Sequence, residues 1–289
     1  MKIHHLNCGT MCPVGGNLLM YPREKEPVRR RLVCHCLLIE TNSAGLVLVD
    51  TGIGLRDVVR PARISLMFRL MNRIQLREEE TALRQIEALG YSAADVRHIV
   101  LTHLDFDHAG GLEDFPEARV HLLAAERRAA EAAARSGGFI GRRRYRRNQW
   151  NDVAAWAEYE AGSEAWFGFG SVRDLNGLPP EILMIPLPGH TTGHAGIAVA
   201  QADRWLLHAG DAYFNAGEMR SGDDSPPGQR LYQRMMDTDR SERFRNQDRL
   251  RALAATASDE VRIICSHDAG ELCNCRGTAA AGAHAGAGR

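Results

Sequence analysis

The run THLDFDHAGGL, entered from the apolar segment Val96–Leu101, is the most restrictive feature of the chain. Two histidines and two aspartates fall between His103 and His108. Polar loops and helix caps use the same residue types, so composition alone does not decide their role; the spacing favours a metal cradle. If the backbone leaves the strand extended, His103 and Asp105 point to one side, and Asp107 and His108 follow as it turns. That offers two ligand pairs to two neighbouring ions. Imidazole and carboxylate donors suit Zn(II), and also Mn(II) or Fe(II). Gly110 and Gly111 are expected to let the backbone turn tightly beside the ligands.

THLDFDHAGG resembles the HxHxDH signature of the metallo-β-lactamase-fold superfamily of hydrolases, with Asp105 where most members carry histidine. An aspartate there occurs in some phosphodiester- and phosphocholine-cleaving relatives, and a glutamate in the di-iron oxygen reductases. Four further elements stand in the family's order: Asp50 in GLVLVDTG, His190 in LPGHTTGH, Asp211 in HAGDAYF and His267 in CSHDAGEL. The likeness therefore runs from about residue 30 to residue 272. It implies an α/β protein with a four-layer αβ/βα sandwich and a metal site at one sheet edge. It also implies that His103, Asp105 and His190 hold one ion and Asp107, His108 and His267 the other. Asp211 would bridge them beside a shared hydroxide, the nucleophile, while Asp107 orients that water or passes a proton to the leaving group. Asp50 and His194 are expected behind the ligands, fixing them by hydrogen bonds. Tyr213 resembles by location a tyrosine that some lactonases of the superfamily aim at the substrate carbonyl.

Around these motifs the chain alternates strand and helix patterns. Leu32–Glu40 and Leu46–Asp50 read as a hairpin joined by TNSAG. Residues 61–76 mix apolar and basic side chains at helical spacing, which suits a core-packing or substrate-covering helix or, alternatively, a membrane-surface one. Glu78–Leu89 reads as a helix with acids in its first turn and Gly90 after its end. Val120–Leu123 is a short strand, and Ala124–Arg135 is helical by propensity. SGGFIGRRRYRRNQW, holding Arg142 to Arg147, then breaks the pattern. It is either a solvated loop or a lid whose guanidinium groups meet an anionic substrate. Later strands are expected at Glu181–Leu187, Gly196–Val199, Trp205–Leu207 and Val261–Cys265, and an outer helix at Arg240–Ala254. Residues 1–272 would form one catalytic domain, and the Ala/Gly-rich residues 273–289 a disordered tail.

Charge and cysteine usage narrow the function. Lysine plus arginine and aspartate plus glutamate both number 36, which supplies no basic field for nucleic acid. No apolar run is long enough to span a bilayer, and MKIHHLNCGTMCPVGG lacks the apolar core of a secretion signal, so a cytoplasmic location is expected. The seven cysteines do not read as a secreted disulfide framework. Cys34-His35-Cys36 is either a soft-metal pair or simple alternation along a strand, the sulfurs on one side and His35 on the other. The expectation is a hydrolase of small esters or lactones carrying two divalent ions, Zn(II) first. A phosphodiesterase or nuclease is the alternative, encouraged by Asp105 and the arginines but opposed by the neutral charge. A di-iron redox enzyme ranks third, for want of a flavin or electron-carrier module. Oligomeric state is left open.

Overall fold

A computed structural model describes residues 1–20, 31–136, 138–172, 174–220 and 225–285. Its strands are β1 (Lys2–Met11), β2 (Leu32–Glu40), β3 (Leu46–Val49), β4 (Ile74–Gln75), β5 (Val96–Val100), β6 (Arg119–Leu123), β7 (Ala155–Tyr159), β8 (Glu164–Trp166), β9 (Phe169–Ser171), β10 (Ile182–Pro186), β11 (Ala195–Ala200), β12 (Trp205–His208) and β13 (Val261–Ile264). The helices are α1 (Gly16–Leu19), α2 (Leu55–Val59), α3 (Leu66–Asn72), α4 (Ala82–Ala88), α5 (Ala124–Ser136), α6 (Gly141–Arg144), α7 (Gly217–Arg220), α8 (Pro227–Met236), α9 (Arg240–Thr256) and α10 (Ala269–Ala285).

A seven-stranded sheet runs β4-β1-β2-β3-β5-β6-β7 and a four-stranded sheet runs β10-β11-β12-β13, with β8 and β9 as a separate hairpin. Leu37, Ile39, Val47, Val49 and Val100 of the first sheet pack against Ile182, Met184, Ile197, Val199 and Leu206 of the second. The outer face of the larger sheet is covered by Ala82 and Ile86 of α4 and Ala130 of α5. Leu250 and Leu253 of α9 cover the outer face of the smaller one. Each sheet is therefore apolar on both faces, which is why β3, LVLV, has no polar alternation and is wholly buried. The layers are those of the αβ/βα sandwich.

Strand direction places the site. β3, β5, β6 and β7 are mutually parallel. In the smaller sheet β10 and β12 each run antiparallel to β11, hence parallel to one another, and β13 runs parallel to β12. The residues carrying candidate ligands follow the C-terminal ends of β5, β10, β12 and β13, so their loops share one edge of the sandwich.

Several local expectations shift. The acids of Glu78–Glu80 form a 3-10 turn, and α4 starts later, where Thr81 accepts a hydrogen bond from the Arg84 amide at 3.3 Å. A hydroxyl cap satisfies a first-turn amide more directly than nearby acids do. In β2, Cys34 and Cys36 join the outer core while His35 faces His5 and His208, so alternation accounts for this pair. Among the described residues no cysteine is in a disulfide. At the C-terminal end α10 runs Ala269–Ala285; within it Cys275 is buried and Arg276 donates to the His5 carbonyl at 2.9 Å. Residues 286–289 lie outside the described part.

Candidate metal centre

The loop after β5 closes as a turn, with the amides of His108 and Ala109 both 3.0 Å from the Asp105 carbonyl. Gly110 and Gly111 are absent from the positive-φ residues, so they are not there for an unusual backbone turn. Close approach requires them: a Cβ on Gly110 would sit 2.5 Å from the Gly52 carbonyl oxygen, and one on Gly111 would sit 3.1 Å from Thr51. Asp50, at the end of β3 with φ 54°, receives the Thr102 amide at 2.8 Å and the Thr102 hydroxyl at 2.7 Å.

Three overlapping groups result, each with ligand atoms within 4.8 Å of one another: His103, Asp105 and His190; Asp107, His108 and His267; and His103, His108 and Asp211. Asp211 sits centrally. Its Oδ2 lies 3.4 Å from His190 Nε2 and 3.1 Å from His267 Nε2, and its Oδ1 lies 3.4 Å from His108 Nε2. Asp105 Oδ2 is 3.3 Å from His103 Nε2 and 3.1 Å from His190 Nε2. All seven side chains are buried.

The acceptors behind the rings fix which nitrogen faces inward. Carbonyl and carboxylate oxygens only accept, so His267 donates through Nδ1 to the Val33 carbonyl at 2.7 Å and His108 through Nδ1 to Asp50 at 2.9 Å. The Thr102 hydroxyl donates to Asp50 and so receives His103 Nδ1, 2.9 Å away. His194 bonds the Leu187 carbonyl through Nδ1 at 2.9 Å and accepts the Asp211 amide on Nε2 at 2.9 Å. Within the centre, His103 Nε2, His108 Nε2 and Asp211 Oδ1 are buried without a hydrogen bond. Orphaned polar atoms are costly, and here they converge from several elements, which is what a cation would repair. The donor set fits divalent metal.

Charge coupling is strong. Burial pushes the Asp211 carboxyl up, but His267 and His108 outweigh it and hold it well below the usual carboxylate range. For Asp105 burial is likewise outweighed, chiefly by Arg144. Asp107 goes the other way, raised by burial despite His108 and His267. Burial lowers His108, yet the Asp211 and Asp50 carboxylates leave it well above its ordinary value.

A family model described as the metallo-beta-lactamase superfamily matches residues 29–267. The chain belongs to the metallo-beta-lactamase superfamily. It is 42% identical over 268 residues, 93% of this chain and 80% of the other, to a protein of Mycobacterium tuberculosis (strain ATCC 25618 / H37Rv) named "Probable metallo-hydrolase". It is 30% identical over 124 residues, 43% of each chain, to an N-acyl homoserine lactonase of Azorhizobium caulinodans. Its fold is similar to that of an N-acyl homoserine lactone hydrolase solved with N-hexanoyl-L-homoserine at the catalytic metal centre: TM-score 0.67, 20% identity, 95% of this chain and 96% of that one. A dizinc quorum-quenching lactonase solved with its product gives a TM-score of 0.60 at 17% identity, over 92% and 86% of the chains. Like other hydrolases of the metallo-beta-lactamase superfamily, the protein is a metal-dependent hydrolase. Among the described residues no helix is long and apolar enough to cross a membrane.

Two expectations about this superfamily member need correction. Tyr213 is fully buried, donates its hydroxyl to Glu271 at 3.0 Å, and does not line the cavity over the ligands. The tyrosine there is Tyr232 of α8, beside Met11, Leu32, Phe214 and Met236. The arginine insertion is not a loose basic lid either. Tyr145 and Trp150 are buried in the core, Arg143 lies over Phe139, and Arg146 donates to the Arg63 carbonyl at 2.6 Å. Arg144 turns inward, buried, with Nε 2.7 Å from Asp105 Oδ1 and Nη2 2.5 Å from Asp105 Oδ2.

Glu126 was hidden from sequence reasoning in a helix that reads as one by propensity alone. It is fully buried and accepts from the Leu104 amide at 3.0 Å, the Thr191 hydroxyl at 2.6 Å and the Gly193 amide at 3.2 Å. It thus pins the loop carrying His103 to the loop carrying His190. The only sequence signal was an acid in the first turn of α5.

Proposed function

We propose that the chain is a binuclear metal hydrolase of small, uncharged esters or lactones. The reading is carried by the central position of Asp211 between the two His/Asp groups, with one oxygen facing His108 and the other facing His190 and His267. On it, His103, Asp105 and His190 would hold one ion, Asp107, His108 and His267 the other, and Asp211 would serve both. Divalent ions held there, Zn(II) first with Mn(II) or Fe(II) as alternatives, would supply a more acidic bound water and polarise the substrate oxygen.

The protein's own groups complete the chemistry. Asp107 is the least buried of the seven, 7% exposed against 3% or less for the others, which makes it the carboxylate best placed to accept a proton and return it to the leaving group. Tyr232 receives the Asn72 amide at 3.3 Å on its oxygen, which leaves the O–H to donate to a substrate oxygen. Burial raises the Tyr232 phenol, so it acts as a donor and not as a base. Met11, Leu32, Phe214 and Met236 form the apolar part of the wall over the ligands, which suits an uncharged substrate.

Similarity to N-acyl homoserine lactonases supports the lactone class. The phosphodiesterase alternative loses its support from the arginines: no lysine or arginine is among the described residues lining the cavity, and Arg144 is engaged with Asp105. Cysteines held outside disulfides among the described residues suit a reducing, cytoplasmic setting. The test is a panel of lactones, aryl esters and bis-aryl phosphodiesters, run on protein of measured metal content. Lactones or esters should show the highest kcat/KM. A phosphodiester turned over faster than every ester and lactone would overturn the assignment.

A further inference from the structure

Arg144 reaches the centre from the insertion, thirty-nine residues beyond the aspartate it grips. Its Nε and Nη2 take one Asp105 oxygen each, Nη2 also lies 3.0 Å from His190 Nε2, and Nη1 donates to the Met236 carbonyl at 2.5 Å. Arg144 is 2% exposed, too deep to serve as a surface charge. A buried arginine is always protonated, and its fork matches a carboxylate at two points. It therefore fixes the carboxylate plane, with Oδ2 turned towards His103 and His190.

We propose that Arg144 is a positioning residue for the metal centre and that Asp105 and Arg144 together act as one ligand unit of zero net charge. The inference rests on the reading of Asp105 as a ligand. Charge counting shows why the pair belongs together. Two divalent ions bring four positive charges, Asp105, Asp107 and Asp211 remove three, and Arg144 restores one, leaving a net of two. A histidine at position 105 with no arginine gives the same net: four minus the two remaining aspartates. Either half of the change made alone shifts the buried charge by one. Arg144→Gln leaves a surplus anion held at fewer points, and Asp105→His leaves a buried guanidinium without its carboxylate.

The contact to His190 has a second consequence. Nη2 lies against the nitrogen that would face the ion, so the guanidinium must leave His190 and keep Asp105 as the first ion enters. A lysine could preserve the charge but not the two-point grip. This separates orientation from charge.

Metal-free protein and its Arg144→Lys, Arg144→Gln, Asp105→Asn, Asp105→His and Asp105→His/Arg144→Gln variants are titrated with Zn(II) against a chelator, with folding checked by circular dichroism. Arg144→Gln should weaken the affected ion by about 10- to 100-fold, as loss of a residue orienting a ligand does, and Arg144→Lys by less. The double variant should bind more tightly than either single variant. If Asp105→Asn binds as the parent does, Asp105 is not a ligand and the underlying site reading fails. If Asp105→Asn weakens binding while Arg144→Gln is unchanged or tighter, the site reading stands and the inference about Arg144 is wrong. A folded double variant no tighter than the tighter of the two single variants overturns the paired-unit claim, and if Arg144→Gln alone fails to fold the comparison is made with Asp105→His.

Discussion

Asp50 Oδ2 lies 2.9 Å from His108 Nδ1 across 58 residues of sequence, joining the end of β3 to the ligand loop. The same carboxylate holds both the amide and the hydroxyl of Thr102, which in turn meets His103. One buried anion thereby orients two imidazoles proposed to serve different ions. Asp50→Asn keeps the shape but removes the charge and one acceptor. Zn(II) affinity should fall by about 10- to 100-fold with the fold retained. A competition titration checks this; parent-like affinity for both ions would show that Thr102 and the loop backbone suffice.

Protons take the ion's place in the metal-free protein. Burial lowers His108 and His267, but Asp211 with Asp50 for the first, and Asp211 with Asp107 for the second, raise both above their ordinary values. Binding must displace these protons, so affinity should weaken as pH falls below the raised values and improve as it rises. Calorimetric titrations in buffers of different ionisation enthalpy should give different apparent enthalpies. Identical enthalpies in every buffer would mean no net proton release.

The two tyrosines should separate cleanly. Tyr232→Phe removes the only hydroxyl of its side chain from the cavity and should lower kcat by about 100-fold or more while metal content stays unchanged, as expected for loss of a donor to a developing oxyanion. Tyr213→Phe removes one of the hydrogen bonds to Glu271, which keeps that from the Cys265 amide at 2.7 Å, and should lower Tm with little change in kcat. The reverse pattern would return the substrate role to Tyr213.

Glu271 supplies a pH signature of stability. Burial, then Asp268, raises its carboxyl from 4.5 to about 8. The folded state therefore holds the proton more tightly than the unfolded state, and this contribution is complete below the unfolded value of 4.5 and lost as pH climbs to about 8. Glu271→Gln stays neutral throughout. At saturating metal, its Tm relative to the parent should improve steadily between those two pH values. A constant difference would show that Glu271 is ionised in the folded protein from the start.

The strand ends and the order of the motifs were legible because each of His103, His190, Asp211 and His267 follows an apolar run whose burial on both faces is forced by the sandwich. Arg144 was not legible. In sequence it is one of several neighbouring arginines, and only Tyr145 and Trp150, which bury and anchor the insertion, hint that one of them turns inward. Gly110 and Gly111 could be marked as necessary from sequence, but the reason, approach of the Gly52 and Thr51 backbones, depends on a neighbouring strand end. Tyr213 follows Asp211 closely in sequence yet points to Glu271, whereas Tyr232 arrives on a helix that carried no signature. Proximity along the chain does not set which side of a loop a ring occupies.

Elemental analysis of the purified, folded protein after saturation and removal of loosely held ions tests the central claim most directly. The arrangement around Asp211 predicts two divalent ions per chain, falling to one when His108 or His267 is replaced, with the same loss when His103 or His190 is replaced. A single ion per chain at saturation, or none, would contradict the binuclear account.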